Sequence, residues 1–144
     1  MVIAIIGENC TGKSTLANAV KESIGGEIIT GKDYLRLAKS ESMAAVLFKR
    51  KLAAAITGET VIYVISEKEH LAFLPEDSVK ILVTAELDII KERFRQRMRG
   101  NLPAPVEKML EQKHGMFDDG DYDFHHKMPE DTVFICQSLR ERIK

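Results

Sequence analysis

The chain opens on an unbroken apolar run, Val2–Ile6, the pattern of a strand buried on both faces of a parallel sheet. From Lys13 to about Ser23 the period changes. Leu16, Val20 and Ile24 recur every fourth residue, which predicts an amphipathic helix. Gly25-Gly26 stops it, because glycine takes the left-handed cap without penalty. A short second strand is predicted over Glu27–Thr30. Helical segments follow over Tyr34–Lys39 and Met43–Ile56, the latter ending at Thr57-Gly58. The β-branched run Thr60–Ile65 predicts a third strand. Val79–Val83 predicts a fourth, opened by the turn chemistry of Pro75-Glu76-Asp77-Ser78. Glu86–Met98 then reads as a helix whose buried stripe is Leu87, Ile90, Phe94 and Met98. Beyond the Gly/Pro-punctuated segment Gly100–Pro105, another helix runs from about Val106 to Met116.

Two patterns compete near the end. Either Tyr122–His126 is a short fifth strand followed by a helix over Asp131–Ile143, or the β-rich Thr132–Cys136 is the strand; the first is preferred. In both cases strands alternate with helices. Such an order specifies right-handed crossovers, hence an α/β architecture with an open parallel sheet of about five strands and helices on both faces.

One motif carries chemistry. Gly7-Glu8-Asn9-Cys10-Thr11-Gly12-Lys13-Ser14 matches G-x-x-x-x-G-K-[ST], the phosphate-binding loop. A backbone that wraps a phosphate closely enough for successive N–H groups to donate to it needs residues without Cβ, which Gly7 and Gly12 supply. The helix that follows presents its positive N-terminal end to the same anion. Lys13 adds a mobile charge for β- and γ-phosphates, and the Ser14 hydroxyl is a hard oxygen suited to Mg²⁺. The motif sits where this mechanism requires it, after a buried strand and before an amphipathic helix. The expected phosphate contacts are Gly7, Asn9, Cys10, Thr11, Gly12, Lys13, Ser14 and Thr15, with ATP and Mg²⁺ the expected ligands.

Composition narrows the alternatives. At 144 residues, with 44% hydrophobic and 30% charged, the chain reads as one globular domain over 1–144. The 21 Lys and Arg nearly balance the 22 Asp and Glu, giving a net charge of −1. No global basic field exists to draw in nucleic acid or an anionic membrane. Two cysteines make no disulfide framework and point to a reducing compartment, so a cytoplasmic protein is expected. Val2–Ile6 lacks a preceding basic region and breaks at Gly7, so it reads as neither a signal peptide nor a membrane span.

The loop at the N-terminus, the short chain and three later segments together resemble the P-loop small-molecule kinases. That group comprises the nucleoside monophosphate kinases with the shikimate and gluconate kinases. Ile29-Thr30-Gly31-Lys32-Asp33-Tyr34-Leu35-Arg36 is similar to the Thr-Gly-Asp-x-x-Arg stretch of adenylate kinases, with Lys32 inserted. Phe73-Leu74-Pro75, then Val79 through Glu86 and on to Arg93 and Arg97, resembles a strand and helix of cytidylate kinases. Arg97–Pro105 falls where those enzymes carry a lid over the phosphates. The resemblance implies a three-layer P-loop NTPase fold with a short lid. It also implies an enzyme, monomeric or homodimeric, that moves the γ-phosphoryl group of Mg-ATP to a small-molecule acceptor. A nucleoside monophosphate is the expected acceptor. A small hydroxylated metabolite is the alternative, and a nucleotide-binding module without efficient transfer is a third reading.

Phosphoryl transfer needs positioning and cations more than covalent help. Every odd position from Lys91 to Arg99 is basic, and alternate helical residues lie about 200° apart, so these form no single face. Arg93 and Arg97 share a side and are the favoured phosphate clamps. Asp33 and Arg36 lie just past the second strand, at the sheet edge where α/β proteins bind ligands. Arg36 is suited to an acceptor's phosphate, and Asp33 to a metal-bound water or to the role of base for an alcohol. Asp33 is also a residue type that caps helices. The third strand departs from expectation: Val61–Ile65 ends in Ser66, with Glu67 one residue late for the acidic group that holds the metal's water. Glu67 or Asp33 is left to supply it. Tyr122 or Phe124 is a candidate to stack on the base, and His125-His126 should point to opposite faces of a strand.

Overall fold

The computed structural model describes residues 1–143. Its strands are β1 (Val2–Ile6), β2 (Glu27–Thr30), β3 (Val61–Ile65), β4 (Val79–Val83) and β5 (Phe124–His126). Its helices are α1 (Lys13–Ile24), α2 (Glu41–Ala55), α3 (Leu87–Arg97), α4 (Ala104–Lys113) and α5 (Asp131–Ile143). The strands form a sheet in the order β2-β3-β1-β4-β5, every neighbouring pair parallel. The register sets Ile6 beside Ile65 and Leu82, so β1 lies at the centre. All five residues of β1 are buried, as are all five of β3, which is why both read as continuous apolar runs.

Alternation along β1 divides the core. Val2, Ala4 and Ile6 face α2, packing with Ala44, Phe48, Leu52 and Tyr63. Ile3 and Ile5 face the other way, onto Leu16, Ala17 and Val20 of α1 and Ile135 and Leu139 of α5. The result is three layers, helix on sheet on helix. A third, smaller cluster stands apart: Cys10 of the loop with Ile90 of α3 and Leu110 of α4.

Four elements differ from expectation. Tyr34–Lys39 is not an α-helix but a 3-10 helix over Asp33–Leu37, because the chain turns extended at Ala38. Ser40 then starts α2 earlier than predicted, its hydroxyl accepting from Met43 N at 3.1 Å. In α3 only Ile90 of the expected stripe is fully buried; Met98 falls past the helix end and is 44% exposed. α4 spans Ala104–Lys113, displaced toward Pro103, whose fixed φ suits a helix start. The preferred reading of the C-terminal stretch holds: Asp131–Ile143 is a helix that includes the β-rich Thr132–Cys136. Ile135, Cys136 and Leu139 bury one face of α5 against the sheet and α1, and this tertiary packing overrides local propensity. Val133 and Phe134 remain exposed.

The α2 face depends on an aromatic knot. The Phe48 ring, fully buried, lies 5.3 Å from Tyr34, 4.9 Å from Tyr63 and 5.2 Å from Phe73 between ring centroids. Phe48→Ala should therefore cost about 3–5 kcal/mol of unfolding free energy. Urea denaturation checks this, and a loss below about 1 kcal/mol would show that the knot carries no such weight.

Candidate phosphate-binding site

Because all strands are parallel, Gly7, Gly31, Ser66 and Thr84 leave the sheet at one edge. The loop from Gly7 rises between its neighbours. Gly7 N donates to Ile65 O at 3.1 Å, while a Cβ at this position would overlap the carbonyl oxygen of Val83. Glycine is needed here for proximity. At Gly12 it is needed for conformation, since φ is +101°. Cys10 also takes a left-handed φ of 65°, a strained position for a non-glycine residue. Thr11 Oγ1 donates to Glu8 O at 3.0 Å and closes the loop on itself.

α1 starts at Lys13 with no acidic residue in its first turn. Among the described residues no side chain caps it. Its leading N–H groups and the positive end of its dipole are therefore left for an anion. Lys13 is only 7% exposed, and its ammonium donates to Glu8 O. Burial is the main cause that lowers its pKa to about 8. The Cys10 thiol and Glu8 carboxylate oppose the shift, and the like charge of Arg97 adds to it. A phosphate in the loop would restore an opposite charge to this ammonium.

Arg93, on α3, donates from Nη1 to Cys10 O at 3.0 Å. Arg93 and Arg97 both line a cavity of about 660 Å³ that is floored by Cys10, Thr11, Gly12 and Thr15. Its far walls are Thr84–Glu86, Ile89, His126–Pro129 and Thr132. A chamber of this size beside a phosphate cradle suits the rest of a nucleotide. The sequence reading missed its far wall, because the turn after β5 carries no motif. The signal that could have found it is positional: at a sheet edge, the turns after neighbouring strands face one crevice.

The other expected site residues are placed less centrally. Ser14 is exposed in the first turn of α1, and Asn9 is half-buried. Cys10 is 4% exposed, packed as a core residue with Ile90 and Leu110 while also lining the cavity. Asp33 does not cap the following helix; its Oδ2 accepts from Thr30 N at 3.2 Å. With β3 lying between β2 and β1, Asp33 stands roughly 10 Å from the loop strand. Asp33 and Arg36 line their own pocket of about 190 Å³ with Tyr34, Phe48 and Lys51. Glu67 points to α4, its carboxylate 3.9 Å from Lys113 Nζ. Neither aromatic candidate reaches the nucleotide cavity. Tyr122 donates its hydroxyl to Phe117 O, and Phe124 packs on the α1–α5 side beneath the Arg142 guanidinium, 5.2 Å from it. His125 and His126 do take opposite sides. His125 Nε2 lies 2.7 Å from Thr84 Oγ1, and His126 Nε2 lies 2.8 Å from Thr132 Oγ1. Burial lowers the His126 pKa.

No protein-family profile matches the chain, and no curated protein does. Solved structures do. A sugar kinase from Janibacter sp. superposes with a TM-score of 0.66 at 15% identity, covering 97% of this chain and 94% of its own. A gluconokinase from Sinorhizobium meliloti gives 0.64 at 12%, covering 99% and 94%. A shikimate kinase from Acinetobacter baumannii, bound to shikimate, gives 0.62 at 13%, covering 99% and 92%. At this identity the likeness establishes the fold: an α/β P-loop fold of the shikimate and gluconate kinase type. Among the described residues no helix is long and apolar enough to cross a membrane.

The lowered Lys13 pKa has a signed consequence. Between about 8 and 10.5 the unfolded chain holds a proton that the folded one has lost, so stability rises with pH across that window. Relative to Lys13→Met, wild type should gain about 2 kcal/mol between pH 7.5 and pH 9.5. Paired denaturant titrations measure the difference. A gap that stays constant with pH would mean that the ammonium is not desolvated.

Proposed function

We propose that the protein is an ATP-dependent small-molecule kinase whose acceptor is a small hydroxylated metabolite. The observation that carries the phosphotransfer reading is the cradle itself. The loop that leads into the uncapped start of α1, with its buried Lys13 ammonium, and two arginines line or adjoin one cavity of about 660 Å³. The sugar kinase, gluconokinase and shikimate kinase folds support an alcohol acceptor over a nucleoside monophosphate.

In this reading Gly7, Asn9, Cys10, Thr11, Gly12, Ser14 and Thr15 receive the α- and β-phosphates of ATP through the loop backbone and the α1 terminus. Lys13 leaves Glu8 O for the β- and γ-phosphates, a short swing that returns a counter-charge to its ammonium. Arg93 and Arg97 neutralise charge that builds on the transferring group. The donor set fits Mg²⁺: the Ser14 hydroxyl is a hard ligand at the right turn. Among the described residues no cluster of three acidic, His or Cys side chains could hold a metal, so phosphate oxygens and water supply the remaining ligands. Mg²⁺ held there would supply positive charge to the triphosphate as the phosphoryl group moves. The acceptor hydroxyl oxygen forms a bond to the γ-phosphorus as the bond to the β–γ bridging oxygen breaks, and the hydroxyl proton passes to a base. Asp33, at the same sheet edge, is assigned as that base or as the holder of a metal-bound water, with Arg36 on the acceptor. Glu67 is the other candidate for the water. It lies 3.9 Å from Lys113 Nζ, a partly exposed pair that a metal-bound water could replace.

A panel of alcohols and nucleoside monophosphates, scored for ADP release with Mg-ATP, tests the proposal. Turnover with an alcohol and none with any monophosphate is expected. The reverse would transfer the assignment to nucleoside monophosphates, and no turnover with any acceptor would leave a nucleotide-binding module. Lys13→Ala should keep the fold and lose at least about a hundredfold in transfer. Arg36→Ala should weaken the acceptor far more than ATP. Equal effects on both ligands would remove Arg36 from the acceptor site.

A further inference from the structure

Glu8 occupies a variable position of the loop motif, yet its side chain is one of the most buried charges in the protein, at 8% exposure. Its carboxylate is fully engaged. Oε2 accepts from Gly115 N at 3.1 Å, and Oε1 lies 3.0 Å from His114 Nδ1, which donates to it. Both partners follow directly on α4. Gly115 adopts φ +81°, so the chain there is bent to aim its amide at the loop. A buried carboxylate that accepts a backbone N–H and a ring N–H is a strong, directional anchor.

The carbonyl oxygen of Glu8 accepts from Lys13 Nζ and Thr11 Oγ1. One residue therefore touches the phosphate-seeking ammonium through its backbone and the end of α4 through its side chain. The hairpin of α3 and α4 is gripped at its other helix by Arg93 Nη1 on Cys10 O, and in the middle by Cys10 packed between Ile90 and Leu110. Lys91 ties α3 to α4 through Glu111 at 2.6 Å and Glu107 at 3.4 Å, which makes the two helices one arm.

We propose that Glu8 is a positioning residue: its carboxylate seats the α3–α4 arm on the phosphate loop and so fixes Arg93 and Lys13 relative to each other. The kinetic part of this inference rests on the phosphotransfer reading. The structural part does not. Arg93 enters the site from the arm and Lys13 from the loop, so a shift at the seat separates two charges that must meet one phosphoryl group.

The test compares Glu8→Ala and Glu8→Gln with wild type. The glutamine amide can still accept from Gly115 N and pair with His114, so it keeps the seat without the charge. Hydrogen exchange on the free proteins should show faster exchange over residues 104–117 in Glu8→Ala, with β1 and β3 unchanged and Glu8→Gln near wild type. Adding Mg-ATP should protect that segment in wild type and Glu8→Gln but not in Glu8→Ala. In the acceptor assay kcat should fall about 10–100-fold in Glu8→Ala and be largely restored in Glu8→Gln. Wild-type exchange over 104–117 in Glu8→Ala overturns the proposal. So does a uniform rise in exchange that includes β1 and β3, which would mark a carboxylate that only stabilises the fold. If Glu8→Ala does not fold, His114→Ala attacks the seat from the other side, and the same two exchange outcomes overturn it. A wild type that turns over no acceptor counts against phosphotransfer alone, because the exchange comparison needs none.

Discussion

The structure depends on how closely three backbones approach at Gly7. Its amide is fixed to the carbonyl of Ile65 on one side, while its Cα lies against the carbonyl of Val83 on the other. Only a residue without Cβ passes through that gap. The chain therefore leaves the central strand at one height and in one direction, and the loop that follows must curl over the edge of the sheet. From this the placement of α1 follows, with its uncapped N-terminus aimed at the crevice. The flanking strands are buried at every residue of β3 and at all of β4 but Lys80, and such close packing keeps the gap at its width.

A second constraint is electrostatic. The loop gathers positive ends, namely a helix dipole, the Lys13 ammonium and the Arg93 and Arg97 guanidiniums, with the Glu8 carboxylate only partly offsetting the cost of burying Lys13. The protein carries this cost in two visible ways. Burial lowers the pKa of Lys13, and the ammonium falls back on the carbonyl of Glu8. Arg93 likewise falls back on the carbonyl of Cys10. A phosphate bound in the loop would return a counter-charge to these cations.

The acidic residues at this edge are organised differently. Asp33 is held by Thr30 N across the tight turn after β2, and Glu67 is paired to Lys113 across the gap to α4. With Glu8 bound to His114 and Gly115, the C-terminal end of α4 meets two carboxylates, one from the loop after β1 and one from the turn after β3.

Much of this was legible from residue order. Continuous apolar runs at Val2–Ile6 and Val61–Ile65, and the four-residue period from Leu16 to Ile24, allowed only a buried parallel sheet with covering helices. The glycine spacing at Gly7 and Gly12, followed by Lys13, allowed only a phosphate-wrapping turn. Those signals are local, set by sterics within a few residues. The illegible features are the non-local ones. Tyr122 and Phe124 turn away from the nucleotide cavity because the sheet's two faces claim them. Glu8 becomes an anchor through partners more than 100 residues distant. Sequence by itself determined the periodicities and the glycine-framed loop after β1, since dihedral and burial preferences act over short spans. Tertiary structure decided which charges meet, because a carboxylate's role is fixed by what lies within about 3 Å of it, and chain order carries no record of that distance.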